Sequence, residues 1–457
     1  GYRDQSLVQR TVKLKSMTKQ LTPIDVLALG FMTFALFLGA GNVIFPPGAG
    51  LAAGENIWPT AFGFLITAVG LPLLTLIALA RVGGGLAQLT GPLGRVAGVL
   101  LSVLVYLAIG PLFATPRTAV VSYQIGVVPF VQDGWQALLG YSIVYFSVVI
   151  FLALKPGQLV DRIGKYITPV LLLGLLMLGV AALLFPAGQM HAPSEQYRSA
   201  PLIQGFLQGY LTMDTLGALV FGIVITTAIR DRQVSETRLI TRYTVLAAVI
   251  AAAGLSMVYL ALFYLGATSG ALVGEGVNGG QILASYVQHC FGVAGSALLA
   301  LVIILACLTT AVGLLTACGE YFSRLLPLSY RAVVWVFGLF SMAVANQGLD
   351  SLISVSIPVL VGLYPLAIAL VCMSLLCAGM ARPQNLMRPV MLVTLVFGVI
   401  DGLKAAGLIS SAGAWIDALP LSDQSLGWLL PVAVTLLAAI LVEYLRHGSL
   451  HQQQAGR

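Results

Sequence analysis

Apolar runs follow one another along almost the whole chain, separated by short, turn-rich polar connections. A helix needs roughly 20 apolar residues to cross about 30 Å of hydrocarbon. By that measure spans are expected at about 24–47, 57–80, 96–116, 137–154, 166–186, 202–229, 243–266, 293–322, 331–346, 352–379, 389–406 and 426–445, twelve in all. The longest polar gap, about 187–201, is too short for a domain of its own. The pattern predicts an all-α polytopic membrane protein: a basic tail over 1–20, one transmembrane domain over 21–446, and a short polar tail over 447–457. The first run is too long for the apolar core of a signal peptide and has no small-residue cleavage site, so it is expected to remain as the first span.

Two runs carry a fault. The first reads IDVLALGFMTFALFLGAGNVIFPP, with Gly39, Ala40, Gly41 and Asn42 at its middle and Pro46–Pro47 close behind. Glycine is a poor helix residue and the asparagine side chain competes for backbone hydrogen bonds, so the helix is expected to open there. The small residues could instead serve only to let a neighbouring helix approach. The sixth run, GFLQGYLTMDTLGALVFGIVI, places Thr212, Asp214, Thr215 and Gly217 near its middle. An acid at that depth costs about 2.5–3.5 kcal/mol on insertion scales and marks a functional site by default. The competing reading is that Asp214 or Thr215 caps a resumed half-helix, which itself implies a break.

Backbone opened at mid-membrane must line protein or a watery cavity. Interruptions in spans one and six are offset by five spans. That is the spacing of two five-helix repeats, about 24–186 and 202–379, followed by two extra helices over about 389–446. An odd repeat re-enters from the opposite face, so the two halves are inverted. Broken helix ends present N–H groups that suit a carboxylate and carbonyls that suit an ammonium or metal cation, the two ends of a zwitterionic amino acid. The eighth run adds adjacent hydroxyls, Thr309 and Thr310, whose oxygens suit a hard monovalent ion; back-bonding to the preceding turn is the plainer alternative.

Composition narrows the class. With 59% hydrophobic and 9% charged residues, 50 glycines and a mean hydropathy of +0.97, a soluble domain is excluded. The net charge of +7 is spread over the ends of the runs and forms no nucleic-acid motif; the lipid bilayer is the partner it implies, with no obligate protein partner evident. Alternating the loops across a membrane puts 20 of the 23 Lys and Arg on one side and only Arg117, Arg198 and Lys404 elsewhere. That bias places both termini in the cytoplasm. Five cysteines without a CxxC pair indicate neither disulfides nor zinc, and the four histidines lie in loops, near helix ends or in the tail. A membrane enzyme lacks its nucleophile, base or ligand cluster here, and a channel lacks a continuous polar lining, so a carrier fits better than either.

Several stretches together carry a family resemblance: LALGFMTFALFLGAGNVIFPP, AFGFLITAVGLP, VGGG, GPLFATPRTA, GYLTMDTLGALVFGIVI, TRYTV, ACLTTAVGL and SIPVLVGLYP, spread over about residues 20–400. In these the chain resembles the bacterial branched-chain amino acid:cation symporter family. The resemblance implies the five-plus-five inverted-repeat fold of the bacterial leucine transporter and residence in the bacterial cytoplasmic (inner) membrane. It also implies import of leucine, isoleucine and valine with sodium as coupling ion and no organic cofactor. A proton-coupled symporter, with Asp214 titrating, and a passive facilitator are the alternatives. The segment GAGNVIFPP is similar to the wider fold's GLGNFLRFP. This implies sodium-facing carbonyls at Ala35, Leu38 and Ala306 beside the Thr309 and Thr310 hydroxyls. The arginine of that motif is missing here, and Arg117, at the expected outer end of span three, is a possible gate in its place.

Overall fold

The computed structural model describes residues 20–155, 158–274 and 276–455. The basic residues expected in the N-terminal tail, Arg3 to Lys19, lie outside them. The described residues are helices and their connections, with no strand among them. In chain order the helices are α1 (Pro23–Phe37), α2 (Ala40–Ala53), α3 (Ile57–Leu65), α4 (Leu71–Val82), α5 (Leu86–Leu89), α6 (Arg95–Leu107), α7 (Ala114–Gly126), α8 (Trp135–Leu154), α9 (Gln158–Leu184) and α10 (Glu195–Ser199). The second half holds α11 (Pro201–Tyr210), α12 (Asp214–Asp231), α13 (Thr237–Ala267), α14 (Gly279–Leu325), α15 (Tyr330–Ala345), α16 (Leu349–Leu376), α17 (Gln384–Ala405), α18 (Ala414–Asp417) and α19 (Leu429–Ala455). The last helix runs on through the segment read from sequence as a polar tail.

Among the described residues nine helical stretches are long and apolar enough to cross a membrane, or ten with α11 and α12 taken as one bent span. The sequence reading of twelve differs for a local reason. α2 joins α3 and α4 into one stretch, Ala40–Val82, while α1 and α15 are short apolar helices. Large apolar side chains stand exposed along the outside of the bundle, Leu437 at 67% and Leu173 at 61% for example. In water such a surface would be an aggregation liability; against lipid it is the expected exterior.

The interior is built by close helix approach. α11 packs on α3, α7 on α14, and α13 carries both α1 and α2. The α11–α3 seam runs through glycines at positions four apart: a Cβ built on Gly205 would lie 1.9 Å from the Thr60 carbonyl oxygen, and one on Gly209 1.8 Å from Thr67 Oγ1. Only a residue without a side chain lets these backbones meet, as small residues do elsewhere in membrane bundles. Thr67 Oγ1 completes the seam by donating to the Phe206 carbonyl at 2.7 Å.

Span three departs from expectation. α6 passes through a π-type segment, Ala108–Leu112, with Gly110 at φ −89°, ψ −117°, and then resumes as α7 to Gly126. The apolar run ends at about residue 116, which puts Arg117 at the expected outer end of the span. The kink at Pro111 instead carries the helix onward, and α7 is buried along its whole length. Two of its hydroxyls are satisfied within α7 and by α8: Ser122 Oγ donates to the Thr118 carbonyl, and the Tyr145 hydroxyl donates to Thr118 Oγ1 at 2.9 Å.

Candidate functional site

The break in the first span falls at Leu38–Gly39. α1 ends at Phe37, Leu38 is extended at φ −75°, ψ 92°, Gly39 is extended too, and α2 starts at Ala40. Asn42 holds the restart: its Oδ1 accepts the Gly39 N–H at 2.8 Å, a cap formed from inside the helix. Pro46 and Pro47, which looked like part of the fault, lie within α2.

The second break is sharper. α11 and α12 meet at 45° across Leu211–Met213, and Met213 sits in the left-handed region at φ 59°. A non-glycine residue there is uncommon and costs of order 1–3 kcal/mol, so the surroundings must enforce it. Asp214 is the first residue of α12, where a negative charge meets the positive end of the helix dipole. Its side chain does not cap α12. Asp214 Oδ2 instead accepts from Asn42 Nδ2 at 2.7 Å and from the Tyr259 hydroxyl at 3.1 Å, and Asn42 Nδ2 also donates to that hydroxyl. One triangle of side chains thus ties the two breaks to α13.

Arg117 is buried at 5% exposure inside the bundle, not at an outer boundary. Its guanidinium donates through Nη1 to the Leu211 carbonyl and through Nη2 to the Thr212 carbonyl, at 3.1 Å for the latter. These are carbonyls that the end of α11 leaves without helical partners. The guanidinium also lies over the Phe45 ring, 5.2 Å from its centre, a cation–π contact. Gly41 makes room for it: a Cβ there would approach Arg117 Nη2 to 2.7 Å. A Gly41→Ala carrier is therefore expected to shift the guanidinium off the α11 carbonyls and lower substrate affinity at least tenfold, measured by equilibrium binding; parent-like binding would show that this close approach is immaterial.

A cavity of about 60 Å³ lies between the breaks. Gly39, Ala40, Gly41, Asn42, Thr212, Asp214 and Gly217 line it, seven of the eight residues singled out for substrate; Thr215 is buried but not on the wall. Arg117 and Thr310 are on the wall, with Phe37, Ile109, Phe221 and Leu314 giving an apolar flank. Of the expected sodium-site atoms, Thr309 Oγ1 and Thr310 Oγ1 both donate to the Ala306 carbonyl, at 2.9 and 3.0 Å. The back-bonding alternative is thus present here, and it gathers three oxygens at one turn of α14. Leu38 lies at the break; Ala35 sits one turn before it, half-buried. Phe221 also borders a second, wide cavity of about 1010 Å³ flanked by Arg95, Tyr106, Glu320 and Arg324, so its side chain is shared by the small cavity and this vestibule.

Sequence reasoning missed Tyr259 altogether. It stands among apolar residues of α13 with no local signal, and only the packing of α13 against α1 and α2 aims it at Asp214.

The chain resembles solved transporters in its fold. The structure of MhsT in complex with L-phenylalanine matches with a TM-score of 0.55 at 16% identity, covering 90% of this chain and 98% of that one. The inward-facing conformation of Mhp1 matches at 0.60 with 13% identity, covering 92% and 91%. The branched-chain amino acid transport system 2 carrier protein of Pseudomonas aeruginosa is 65% identical over 93% of this chain and 97% of its own length. The branched-chain amino acid permease BrnQ of Escherichia coli K12 is 52% identical over the same shares. The family model described as branched-chain amino acid transport protein matches residues 22–446. With a match across nearly the whole chain and relatives of this identity, the chain belongs to the family of branched-chain amino acid transport proteins.

Proposed function

We propose that the protein imports leucine, isoleucine and valine by sodium symport, alternating the site at the two helix breaks between the faces of a bacterial cytoplasmic membrane. The observation that carries this reading is the cavity between the breaks, whose wall combines the charged and polar groups of Arg117, Asp214, Asn42 and Thr212 with the aliphatic and aromatic side chains of Phe37, Ile109, Phe221 and Leu314. That combination suits an amino acid with a branched hydrocarbon side chain. Relatives named as branched-chain carriers and permeases support the same substrate class.

The topology proposed is twelve spans with both termini cytoplasmic. α1 with α2 forms the broken first span, α11 with α12 the broken sixth, and α15 a short ninth. Two inverted repeats of five spans would hold the site at their interface, with α17 and α19 outside them. The burial of Arg117 removes a positive charge from the outer side and so strengthens the charge bias behind this orientation. In the proposed topology the wide vestibule bordered by Phe221 opens to the cytoplasm.

For sodium, the proposed ligands are the carbonyls of Ala35, Leu38 and Ala306 with the hydroxyls of Thr309 and Thr310. Binding sodium would turn the two hydroxyl oxygens from Ala306 toward the ion. Sodium and substrate each complete the other's surroundings, so their affinities rise together. One charge moving through about 100 mV contributes about 2.3 kcal/mol, enough for a gradient of order fifty-fold. A proton is the second reading, resting on the burial of the Asp214 carboxyl beside the same cavity.

Radiolabelled isoleucine uptake into proteoliposomes tests both. Accumulation driven by an inward sodium gradient, and lost in a Thr309→Ala/Thr310→Ala double variant, is the expected result. Accumulation driven by protons alone would transfer the coupling role to Asp214. Equilibration under every gradient would overturn symport.

A further inference from the structure

Two charged side chains, Arg117 on α7 and Asp214 at the second break, line the common cavity. Asp214 receives Asn42 Nδ2 and the Tyr259 hydroxyl on the same oxygen, Oδ2, so Oδ1 takes part in neither bond. Arg117 spends its two Nη groups on the Leu211 and Thr212 carbonyls, while its buried Nε–H has no partner. A buried donor on a cation is costly to leave unpaired. The two groups do not close on each other as an ion pair among the described residues. They are prevented from collapsing because the backbone carbonyls hold one charge and the Asn42–Tyr259 pair holds the other.

Opposite charges fixed on the wall of one small cavity are the complement of a zwitterion. We propose that Arg117 and Asp214 form the head-group clamp of this carrier, Asp214 Oδ1 accepting from the α-ammonium of the substrate and Arg117 Nε–H donating to its α-carboxylate. The broken helix ends then have a different task from the one their dipoles suggest. The carbonyls at the end of α11, where a substrate ammonium could bind, are already taken by a resident cation, the guanidinium. The carboxylate of Asp214 supplies the ammonium position instead. The inference rests on the amino-acid transport reading but makes its own claim, which concerns the head group whatever the side chain.

The test is equilibrium binding of radiolabelled leucine to the purified full-length carrier, competed by leucinol, which lacks the carboxylate, and by 4-methyl-2-oxopentanoate, which lacks the ammonium. The parent is expected to prefer leucine over each by about a hundredfold or more. In Arg117→Gln the preference over leucinol should shrink to within about tenfold while rejection of the oxo acid persists; in Asp214→Asn the reverse is expected. Arg117→Lys keeps a cation near the α11 carbonyls but has no Nε–H at that place. It should also lose discrimination against leucinol, and it carries the test if Arg117→Gln does not fold. A uniform loss of affinity for all three ligands in each variant would mean that the residues only hold the breaks in shape, and would overturn the clamp. A parent that binds another aliphatic α-amino acid but not leucine, isoleucine or valine refutes the substrate reading alone, and the same variants competed with that amino acid's own amino alcohol and oxo acid then support or overturn the clamp by the same pattern. A parent that binds no amino acid overturns both.

Discussion

An Asn42→Asp carrier should insert and fold yet lose isoleucine uptake by at least a thousandfold. The replacement has the same shape and keeps the acceptor for the Gly39 N–H, so the restart of α2 survives. What changes is the contact 2.7 Å from Asp214 Oδ2, where a donor becomes a second carboxylate. Two like charges about 4 Å apart repel by about 4 kcal/mol at the effective dielectric that suits buried sites. A hydrogen bond to a charged group worth about 1.5–3 kcal/mol is lost as well. Together these effects exceed the roughly 4 kcal/mol that a thousandfold represents. Asn42→Ala, which removes the donor and the cap without adding charge, should fall between this variant and the parent, and Tyr259→Phe should cost about tenfold to a hundredfold, the loss of one donor to Asp214. Uptake per folded carrier, with folding followed by size-exclusion chromatography, decides the matter. Uptake of Asn42→Asp within tenfold of the parent would show that the triangle joining the two breaks has no part in transport.

Gly209→Val should abolish the folded carrier rather than its activity. The first substituent carbon would meet Thr67 Oγ1 at 1.8 Å, and the neighbouring seam position, Gly205, faces the Thr60 carbonyl oxygen at 1.9 Å. Overpacking usually costs about 1–3 kcal/mol when side chains can give way. At Gly205 the obstacle is backbone, and at Gly209 the obstructing hydroxyl is bonded to the Phe206 carbonyl, so neither yields cheaply. Separating α11 from α3 would also draw the Leu211 and Thr212 carbonyls away from Arg117. Even Gly209→Ala should lower the melting temperature in detergent by several degrees. Gly140→Ala is the comparison: nothing lies within 4 Å of the added carbon on α8, and alanine favours the helix by about 1 kcal/mol. Equal melting of the two alanine variants would refute the seam.

The two predictions separate two uses of small and polar residues that look alike in a sequence. Gly205 and Gly209, four apart, are helix-packing positions. Gly39 and Gly41, for which close helix approach is the alternative reading from sequence, serve otherwise: one is extended at a break and the other leaves space for a guanidinium. The difference lies in what stands opposite each glycine, which no local pattern records.

The sequence by itself determined the membrane class, most of the apolar helices, and the two places where they fail. These follow from local physics: a bilayer demands runs of fixed length, and glycine, asparagine or aspartate in the middle of such a run conflicts with both helix and lipid. Seven of the eight residues singled out at the two faults do line one cavity. The tertiary structure alone decided the rest. Arg117 read as the outer end of a span because the apolar run stops at about residue 116, but the kink at Gly110–Pro111 carries the helix onward and buries the charge against the Leu211 and Thr212 carbonyls, ninety-four and ninety-five residues away in sequence. Tyr259 gave no signal because its role depends on how α13 lies across α2. The hydroxyls of Thr309 and Thr310 were visible as polar atoms in an apolar helix, while their shared partner, the Ala306 carbonyl, depends on side-chain rotation. A buried charge must find its partners wherever packing brings them, and those partners are chosen by three-dimensional neighbourhood rather than by position along the chain.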